Sequence, residues 1–262
     1  MSNIIKFELI KLFSSKKFYV IGVMIFILCV ILSLGVRLIN TTEGVSEHIT
    51  MNGQSLPVFL LLNVIDILMI FLAVLFGGLI ADDYRGGTLK QTLIKPLRRS
   101  DIMIGKISVV VISTVLYLVI ILLTGYAMGH LVFSWGTDFV VNGSEISITA
   151  AEGIVKTLLA YGLTVIPITA FSLIILLFSL VITNGGMAIG AGIGAFLFIQ
   201  IVSGFIGSYN KYVINYYFQI GALYLNGFEG TSILASLAVP IGYILVLSIS
   251  IFILFNKKDI VY

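Results

Sequence analysis

Six apolar runs dominate this chain, and each is long enough to cross the hydrocarbon core of a bilayer. A transmembrane α-helix needs about 20 consecutive apolar residues, and backbone in lipid must satisfy its hydrogen bonds internally. With 59% hydrophobic and 10% charged side chains, the chain is far from an average soluble domain. We therefore predict an all-α polytopic membrane protein, a single transmembrane domain over residues 1–262, with six spans at about 18–39, 57–81, 107–133, 155–182, 185–207 and 233–255.

The positions of Lys and Arg predict the orientation of these spans. In a six-span arrangement, 12 of the 15 basic residues fall on one side, because they precede span one, separate spans two and three, or follow span six. Only Arg37, Lys156 and Lys211 fall on the other side. Since cytoplasmic loops carry the excess of Lys and Arg, both termini are predicted to be cytosolic. The net charge of +3 is an orientation signal, and nothing in its pattern indicates nucleic-acid binding.

Two segments outside the spans mix apolar and polar residues in a way that is typical of interfacial helices. Residues 1–17 place apolar side chains at offsets of three to five among four lysines, which predicts an amphipathic helix in the inner interface. The alternative is a frayed tail whose lysines only set topology. Residues 208–232 are rich in Tyr, too polar to span and too aromatic for a free loop. They predict short outer helices that lie at the interface or re-enter the membrane.

Span two carries two polar residues, Asn63 and Asp66, three apart and so on one helix face. An unpaired carboxylate within the bilayer costs on the order of several kcal/mol. Asp66 should therefore face other helices or water. One interpretation is that the pair lines a substrate pathway or holds helices together. The other is that Asp66 is an acid in a solvated vestibule near the outer surface.

Spans four and five are joined by a short cytosolic turn, Thr183 to Gly186, followed by a row of glycines. Gly186, Gly190 and Gly194 recur every four residues. Such a row lets two membrane helices approach closely, so we predict a helix-packing role for it.

The chain lacks the residue patterns of the common catalytic and metal sites. No GxxxxGK[ST], HExxH or GxSxG sequence is present. The two histidines, His48 and His130, and the single cysteine, Cys29, are too few and too scattered for a metal site. We expect no catalytic site, no bound metal and no ATP site within this chain.

The segment 82–106 concentrates six basic residues between spans two and three, and it carries the most specific sequence pattern. Its order is an acid with an aromatic, a Gly-Thr pair, a Pro, an Arg-rich turn and a Gly-Lys, here Asp83-Tyr84, Gly87-Thr88, Pro96, Arg99-Ser100 and Gly105-Lys106. With the six spans and the basic N-terminal helix, this pattern resembles the ABC type-2 permeases, the membrane subunits of bacterial ATP-binding-cassette transporters. That family more often has Glu at the position of Asp83.

The resemblance implies a function and a set of partners. Residues 84–95 would form a coupling helix seated on a separate ATPase subunit, of which two copies would be present and would bind ATP and Mg²⁺. A second permease subunit, identical or related, would complete the pathway. The implied ATPase-coupling residues are Asp83, Tyr84, Arg85, Gly87, Thr88, Lys90 and Arg99, with Asn184 and Gly185 as a second cytosolic contact. The implied activity is export of an amphipathic substrate (an antimicrobial peptide, a lipid or a drug) across a bacterial plasma membrane.

Three other interpretations of the sequence remain. The segment 82–106 could be a basic loop that only sets topology. The chain could be a channel or ion-coupled carrier that works without an ATPase and uses Asp66. It could also be an intramembrane enzyme, which would need His, Glu or Asp clustered in the spans, and the sequence has no such cluster.

Overall fold

A computed structural model describes residues 2–41, 52–87, 99–136, 139–141, 144–145, 149–225 and 230–257. Its helices are α1 (Ser2–Phe13), α2 (Lys16–Thr41), α3 (Leu56–Arg85), α4 (Arg99–Val132), α5 (Ala150–Val181), α6 (Gly185–Phe205), α7 (Ile220–Leu225) and α8 (Gly230–Lys257). Two 3₁₀ helices, Gly207–Tyr212 and Ile214–Tyr217, lie between α6 and α7. The strands β1 (Val140–Val141) and β2 (Ser144–Glu145) form a two-residue antiparallel pair between α4 and α5.

Six of these helices are long and apolar enough to cross a membrane, as the sequence predicts. The segment between α3 and α4 is shorter than the predicted loop 82–106. Helix α3 continues to Arg85, and α4 begins at Arg99. The extension of α4 has a packing reason, because Ile102 and Met103 are buried in the first turns of the helix. Of the predicted coupling helix 84–95, the part from residue 88 onward lies outside the described residues.

Helix α3 lies at the centre of the fold. It packs against α2, α4, α5 and α6, and more than half of its apolar span is buried. Close contacts on this helix rely on glycine. A Cβ at Gly125 of α4 would lie 2.7 Å from the Cα of Pro57, and one at Gly77 would lie 2.8 Å from the Cα of Ile189 in α6. Helices α6 and α8, by contrast, have only 17% of their apolar windows buried.

The predicted glycine row of α6 does not pack within the protomer. A Cβ at Gly190 or Gly194 would meet no atom within 4 Å, and one at Gly186 would meet only the Asn184 side chain. The glycines of α6 that pack inside the protomer are Gly185 and Gly192, on the other face of the helix. Periodicity identified a small-residue row correctly, but it could not tell which face α3 would cover.

The segment between α6 and α8 forms short helices, as its mixed composition predicts. Its two 3₁₀ helices and α7 occupy most of residues 207–225, and residues 226–229 lie outside the described part of the chain. Ile214, Tyr217 and Phe218 are buried, and Phe218 stacks against Phe196 of α6 and contacts Phe171 of α5. These aromatic side chains hold the segment against the helix bundle.

Candidate functional site: the basal charge cluster

The face of the bundle that carries α1 and the end of α8, here called the basal face, contains a fully buried lysine. Lys106 of α4 has no exposed side-chain surface. Its Nζ donates to Asp83 Oδ2 at 2.6 Å, to Glu8 Oε2 at 3.4 Å and to the carbonyl oxygen of Leu79 at 3.1 Å. An ammonium has three donor hydrogens, so every donor of Lys106 has an acceptor.

Asp83, at the end of α3, shares its carboxylate between two lysines. One oxygen accepts from Lys106 and the other from Lys11 of α1. Asp83 and Glu8 are both buried, whereas the Lys11 side chain is partly exposed. These four residues, Glu8, Lys11, Asp83 and Lys106, are the basal charge cluster. They connect α1, α3 and α4, and the two lysines balance the charge of the two carboxylates.

The local sequence explains why α1 can reach this cluster. Ile4, Glu8 and Leu12 recur every four residues and form the buried face of α1. That face lies against Gly105, where a Cβ would come within 3.2 Å of the side chains of Ile4 and Glu8. The lack of a side chain at Gly105 therefore allows α1 to lie close to α4, directly beside Lys106.

A second ion pair ties the end of α3 to α2 and α6. Asp82 Oδ2 accepts from Lys17 Nζ at 3.1 Å, and both side chains are about half exposed. The Asp82 carboxylate lies directly over Gly185, the first residue of α6, where no Cβ could fit without displacing it. Because this carboxylate lies at a helix N-terminus, the partial positive charge of α6 favours it.

Backbone contacts add α5 to the same junction. Ser179 Oγ accepts from the backbone N–H groups of Ile80 and Ala81 at 2.9 and 3.1 Å. The last two turns of α3 are thus bonded to α1, α2, α4 and α5, and they lie against α6. A cleft opens between α1 and α3, lined by residues that include Lys17, Leu75 and Asp82.

The residues predicted to couple to an ATPase take different positions around this junction. Asp83 is turned inward into the cluster, Tyr84 is partly buried and Arg85 is exposed. Gly87 has a φ of +69°, a conformation that suits glycine and ends α3. Thr88 and Lys90 lie outside the described residues. Arg99 begins α4, and its Nη1 donates to the carbonyl oxygen of Asn256 in α8 at 3.2 Å.

The predicted second contact, Asn184 and Gly185, forms the start of α6. The Asn184 side chain is exposed and accepts from the backbone N–H groups of Gly186 and Met187 at 3.0 and 3.5 Å, which caps the helix. Gly185 is buried beneath Asp82. This turn is therefore adjacent to the end of α3.

A polar network lies elsewhere, around the predicted pathway residue Asp66. Gln200 of α6 donates to Asp66 Oδ1 at 3.0 Å and accepts from Asn215 of the second 3₁₀ helix at 3.0 Å. Asn63 and Asp66 are both exposed on the protomer, and the Asn63 amide donates to the carbonyl oxygen of Phe59. Asp66 lies ten residues into α3, about 15 Å along the helix axis.

Sequence reasoning missed Glu8, Gln200 and Asn215, and it treated Lys106 as a loop residue. Lys106 left a signal, since it belongs to the Gly-Lys pair that ends the sequence pattern at the start of the predicted third span. Among the described residues, no group of three or more His, Cys, Asp or Glu side chains could hold a metal ion.

These features define a polytopic membrane protein with six membrane-length helices and a charged junction at one end of its central helix. Residues 41–261 match DUF2705, a family of proteins of unknown function, and the chain belongs to that family. It is also similar to "Uncharacterized protein YhcI" of Bacillus subtilis (strain 168), with 22% identity over 204 residues. That match covers 73% of this chain and 64% of the relative, less than two thirds of the relative's length.

Proposed function

We propose that this chain is the permease subunit of an ATP-binding-cassette exporter in a bacterial plasma membrane, with both termini cytosolic. One observation carries the proposal: the segment that follows α3 emerges from a junction where five other helices are bonded to or packed against the end of α3. A force applied to residues 86–98 would reach the central helix directly. This is the arrangement that a coupling element for a separate ATPase requires.

The basal charge cluster gives Asp83 a specific role in this proposal. Its carboxylate is occupied by Lys11 and Lys106, so it holds α1 and α4 against α3 rather than contacting the ATPase. Arg85 is exposed at the start of the loop. In this proposal Arg85 and Lys90 contact the ATPase. Because α1 is attached to the same carboxylate, it would move with α3 during the transport cycle.

The proposed ATPase contact can be tested by cross-linking from residue 90. Cys29 is the single cysteine and is buried, so Cys29→Ala gives a background without thiols. In that background, Lys90→Cys with a thiol-specific photocross-linker is expected to capture an ATP-binding-cassette protein in native membranes. Lys211→Cys, on the predicted outer side, is the matched control and should capture none. Equal capture from both positions would contradict the proposed contact.

The exposed face of α6 supports pairing with a second permease subunit. Gly190 and Gly194 open onto this face, and the same stripe continues through the exposed side chains of Leu197, Ile201 and Phe205. Small residues spaced by four promote close helix contact in membranes. A second copy of the chain, packed through α6, would cover a stripe that the protomer leaves exposed.

We expect Gly190→Leu with Gly194→Leu to lower the fraction of paired protein severalfold without unfolding the protomer, because an added Cβ at either position would meet no atom within 4 Å. The paired fraction can be measured by single-molecule photobleaching in liposomes. Gly242→Leu in α8, another site with open space, is the matched control. If the double variant pairs as well as this control, α6 is not the contact.

A second candidate is an ATPase-independent channel or ion-coupled carrier. It is favoured by the exposed Asp66 carboxylate, which is hydrogen-bonded to Gln200 about a third of the way along a membrane helix. In the exporter, Asn63 and Asp66 would line the pathway between subunits instead. The two candidates differ in the residues that transport requires: Asp66 alone for the carrier, and the loop after Arg85 for the exporter.

A further inference from the structure

Helix α3 packs against four other helices, but one stripe of its first half stays open. The stripe is formed by partly or fully exposed residues that recur three or four positions apart, namely Phe59, Leu62, Asn63, Asp66, Ile67 and Ile70. Asn63 and Asp66 are its polar members. Ionisable residues within membrane helices almost always face a water-filled cavity or the bundle interior. We therefore expect this stripe, here called the open stripe of α3, to face a pathway rather than lipid.

Asp66 has a hydrogen-bond donor beside it but no counter-ion. Gln200 Nε2 donates to Asp66 Oδ1 at 3.0 Å, and none of the ion pairs among the described residues includes Asp66. Two cations of the predicted outer side are engaged elsewhere. Lys156 pairs with the glutamate one turn before it at 3.1 Å, and Lys211 Nζ lies 5.3 Å from the centroid of the Tyr212 ring. The negative charge of Asp66 is thus not paired with any side chain that the structure describes.

A chain of hydrogen bonds holds the amide that reaches Asp66. Asn215 Nδ2 donates to Gln200 Oε1 at 3.0 Å and to Ser203 Oγ at 3.1 Å. Ser203 Oγ in turn donates to Asn210 Oδ1 at 3.0 Å. Because the Gln200 oxygen accepts from Asn215, its amide nitrogen is the end that faces Asp66. The network therefore holds one carboxylate oxygen of Asp66 and leaves the other, Oδ2, to accept from a ligand.

The surroundings of Asp66 favour an organic cation over a metal ion. Ca²⁺ and Mg²⁺ take about six or more oxygen ligands. Besides the Asp66 carboxylate, the described residues of the open stripe offer only the side-chain oxygen of Asn63, since the amide nitrogen of Asn63 donates to a backbone carbonyl. The four other members of the stripe are apolar. They suit the hydrocarbon part of an amphipathic ligand, whose ammonium or guanidinium group would donate to the carboxylate.

The site also borders the proposed contact between two subunits. Gln200 lies three positions after Leu197, which belongs to the exposed stripe of α6, so it flanks that stripe on the same helix. A second copy packed through α6 would therefore close over Asp66 from one side. A ligand bound at Asp66 would lie between the subunits, where a transport pathway would run.

We propose that Asp66 binds the ammonium or guanidinium group of a cationic amphipathic substrate, with the apolar part of the substrate along the open stripe of α3. Asp66 Oδ2 accepts the charge-assisted hydrogen bond. As a substrate site, this inference rests on the proposed export function, and it narrows the substrate class to cationic amphipaths. An anionic lipid would meet the negative charge of Asp66 and is therefore excluded by this site.

Photoaffinity labelling of the purified full-length chain tests the site without the ATPase. The probe is dodecylamine with a diazirine within its chain, and the matched probe is dodecanol with the same diazirine. Both are added to the chain in phosphatidylcholine vesicles, and the labelled residues are identified by mass spectrometry. Labelling of the open stripe of α3 is divided by labelling of the exposed face of α2 around Phe26, which corrects for partition into lipid.

We expect the amine to label the open stripe about tenfold more than the alcohol, because a hydrogen bond to a charged group adds at least that factor in affinity. Asp66→Asn should bring the ratio of the two probes to near one, and Asp66→Glu should keep most of it. Glu152→Gln, which removes an acid from α5, is the matched control and should leave the ratio unchanged.

Equal labelling by the amine and the alcohol in the wild type would overturn the site, and this result does not depend on the folding of any variant. So would a ratio that Asp66→Asn leaves unchanged. The outcome is separable from that of the ATPase contact. If the amine labels the stripe but residue 90 captures no ATPase, the cation site stands and the exporter does not, whereas the reverse result removes the cation site alone.

Discussion

Replacing Lys106 with methionine is expected to cause the largest loss of stability of any single substitution in the basal charge cluster. Methionine fills a similar volume but leaves the buried carboxylates of Asp83 and Glu8 without their shared partner. Removing one member of a buried ion pair costs about 3–5 kcal/mol. The midpoint of thermal unfolding in detergent should therefore fall sharply, and α1 should become accessible to protease.

Lys17→Met is the matched control for this prediction. It removes the cation of the other basal ion pair, where both side chains are about half exposed, and such pairs contribute about 0–1 kcal/mol. Lys106→Met combined with Glu8→Gln should recover part of the loss, because Glu8 loses the cation that it pairs with, whereas Asp83 keeps Lys11. If Lys106→Met unfolds at the same temperature as Lys17→Met, the cluster does not hold the basal junction together.

Gly77→Val is the second substitution with a large expected effect, since it forces apart the two helices that meet at the centre of the protein. A Cβ at position 77 would lie 2.8 Å from the Cα and 2.9 Å from the backbone nitrogen of Ile189. Both are backbone atoms of α6, so no side-chain rotation can relieve the contact. Overpacking of this kind costs about 1–3 kcal/mol or more, and it would also displace the start of α6 from Asp82.

The control for Gly77→Val is Gly162→Val in α5, where an added Cβ would meet no atom within 4 Å. Both variants place a β-branched residue within a long helix, so their difference isolates the helix contact. We expect a lower midpoint of thermal unfolding for Gly77→Val and a nearly unchanged one for Gly162→Val. Equal midpoints would show that α3 and α6 can separate at this point without a cost in stability.

The sequence was sufficient for the six membrane helices, because the length and composition of an apolar run determine whether it can span a bilayer. It also indicated short helices after α6, since the aromatic and polar residues of that segment fit neither a span nor a free loop. The ends of the helices were harder to predict from the sequence. Helix α4 starts at Arg99 because Ile102 and Met103 find buried positions, and burial depends on neighbours that are distant in the sequence.

The basal charge cluster could not be predicted from the sequence for the same reason. Glu8 and Lys106 are 98 positions apart, and only the packing of α1 on Gly105 brings them together. Counting lysines for topology assigned Lys106 to a solvated loop, whereas the fold buries it completely. The glycine row of α6 could be predicted only in part. A four-residue period shows that the glycines share one helix face, but it does not show which helix packs against that face.

Copurification tests most directly whether the loop after Arg85 binds a separate ATPase. The tagged chain would be purified from its native cells in mild detergent as wild type, as Arg85→Glu with Lys90→Glu, and as the matched reversal of Lys156→Glu with Lys211→Glu on the other side. The proposal predicts that an ATP-hydrolysing cassette subunit copurifies with the wild type and the matched reversal but not with the loop variant. If no ATPase accompanies any of them, and the pure chain still moves a solute into liposomes until Asp66→Asn stops it, the exporter is contradicted and the carrier takes its place.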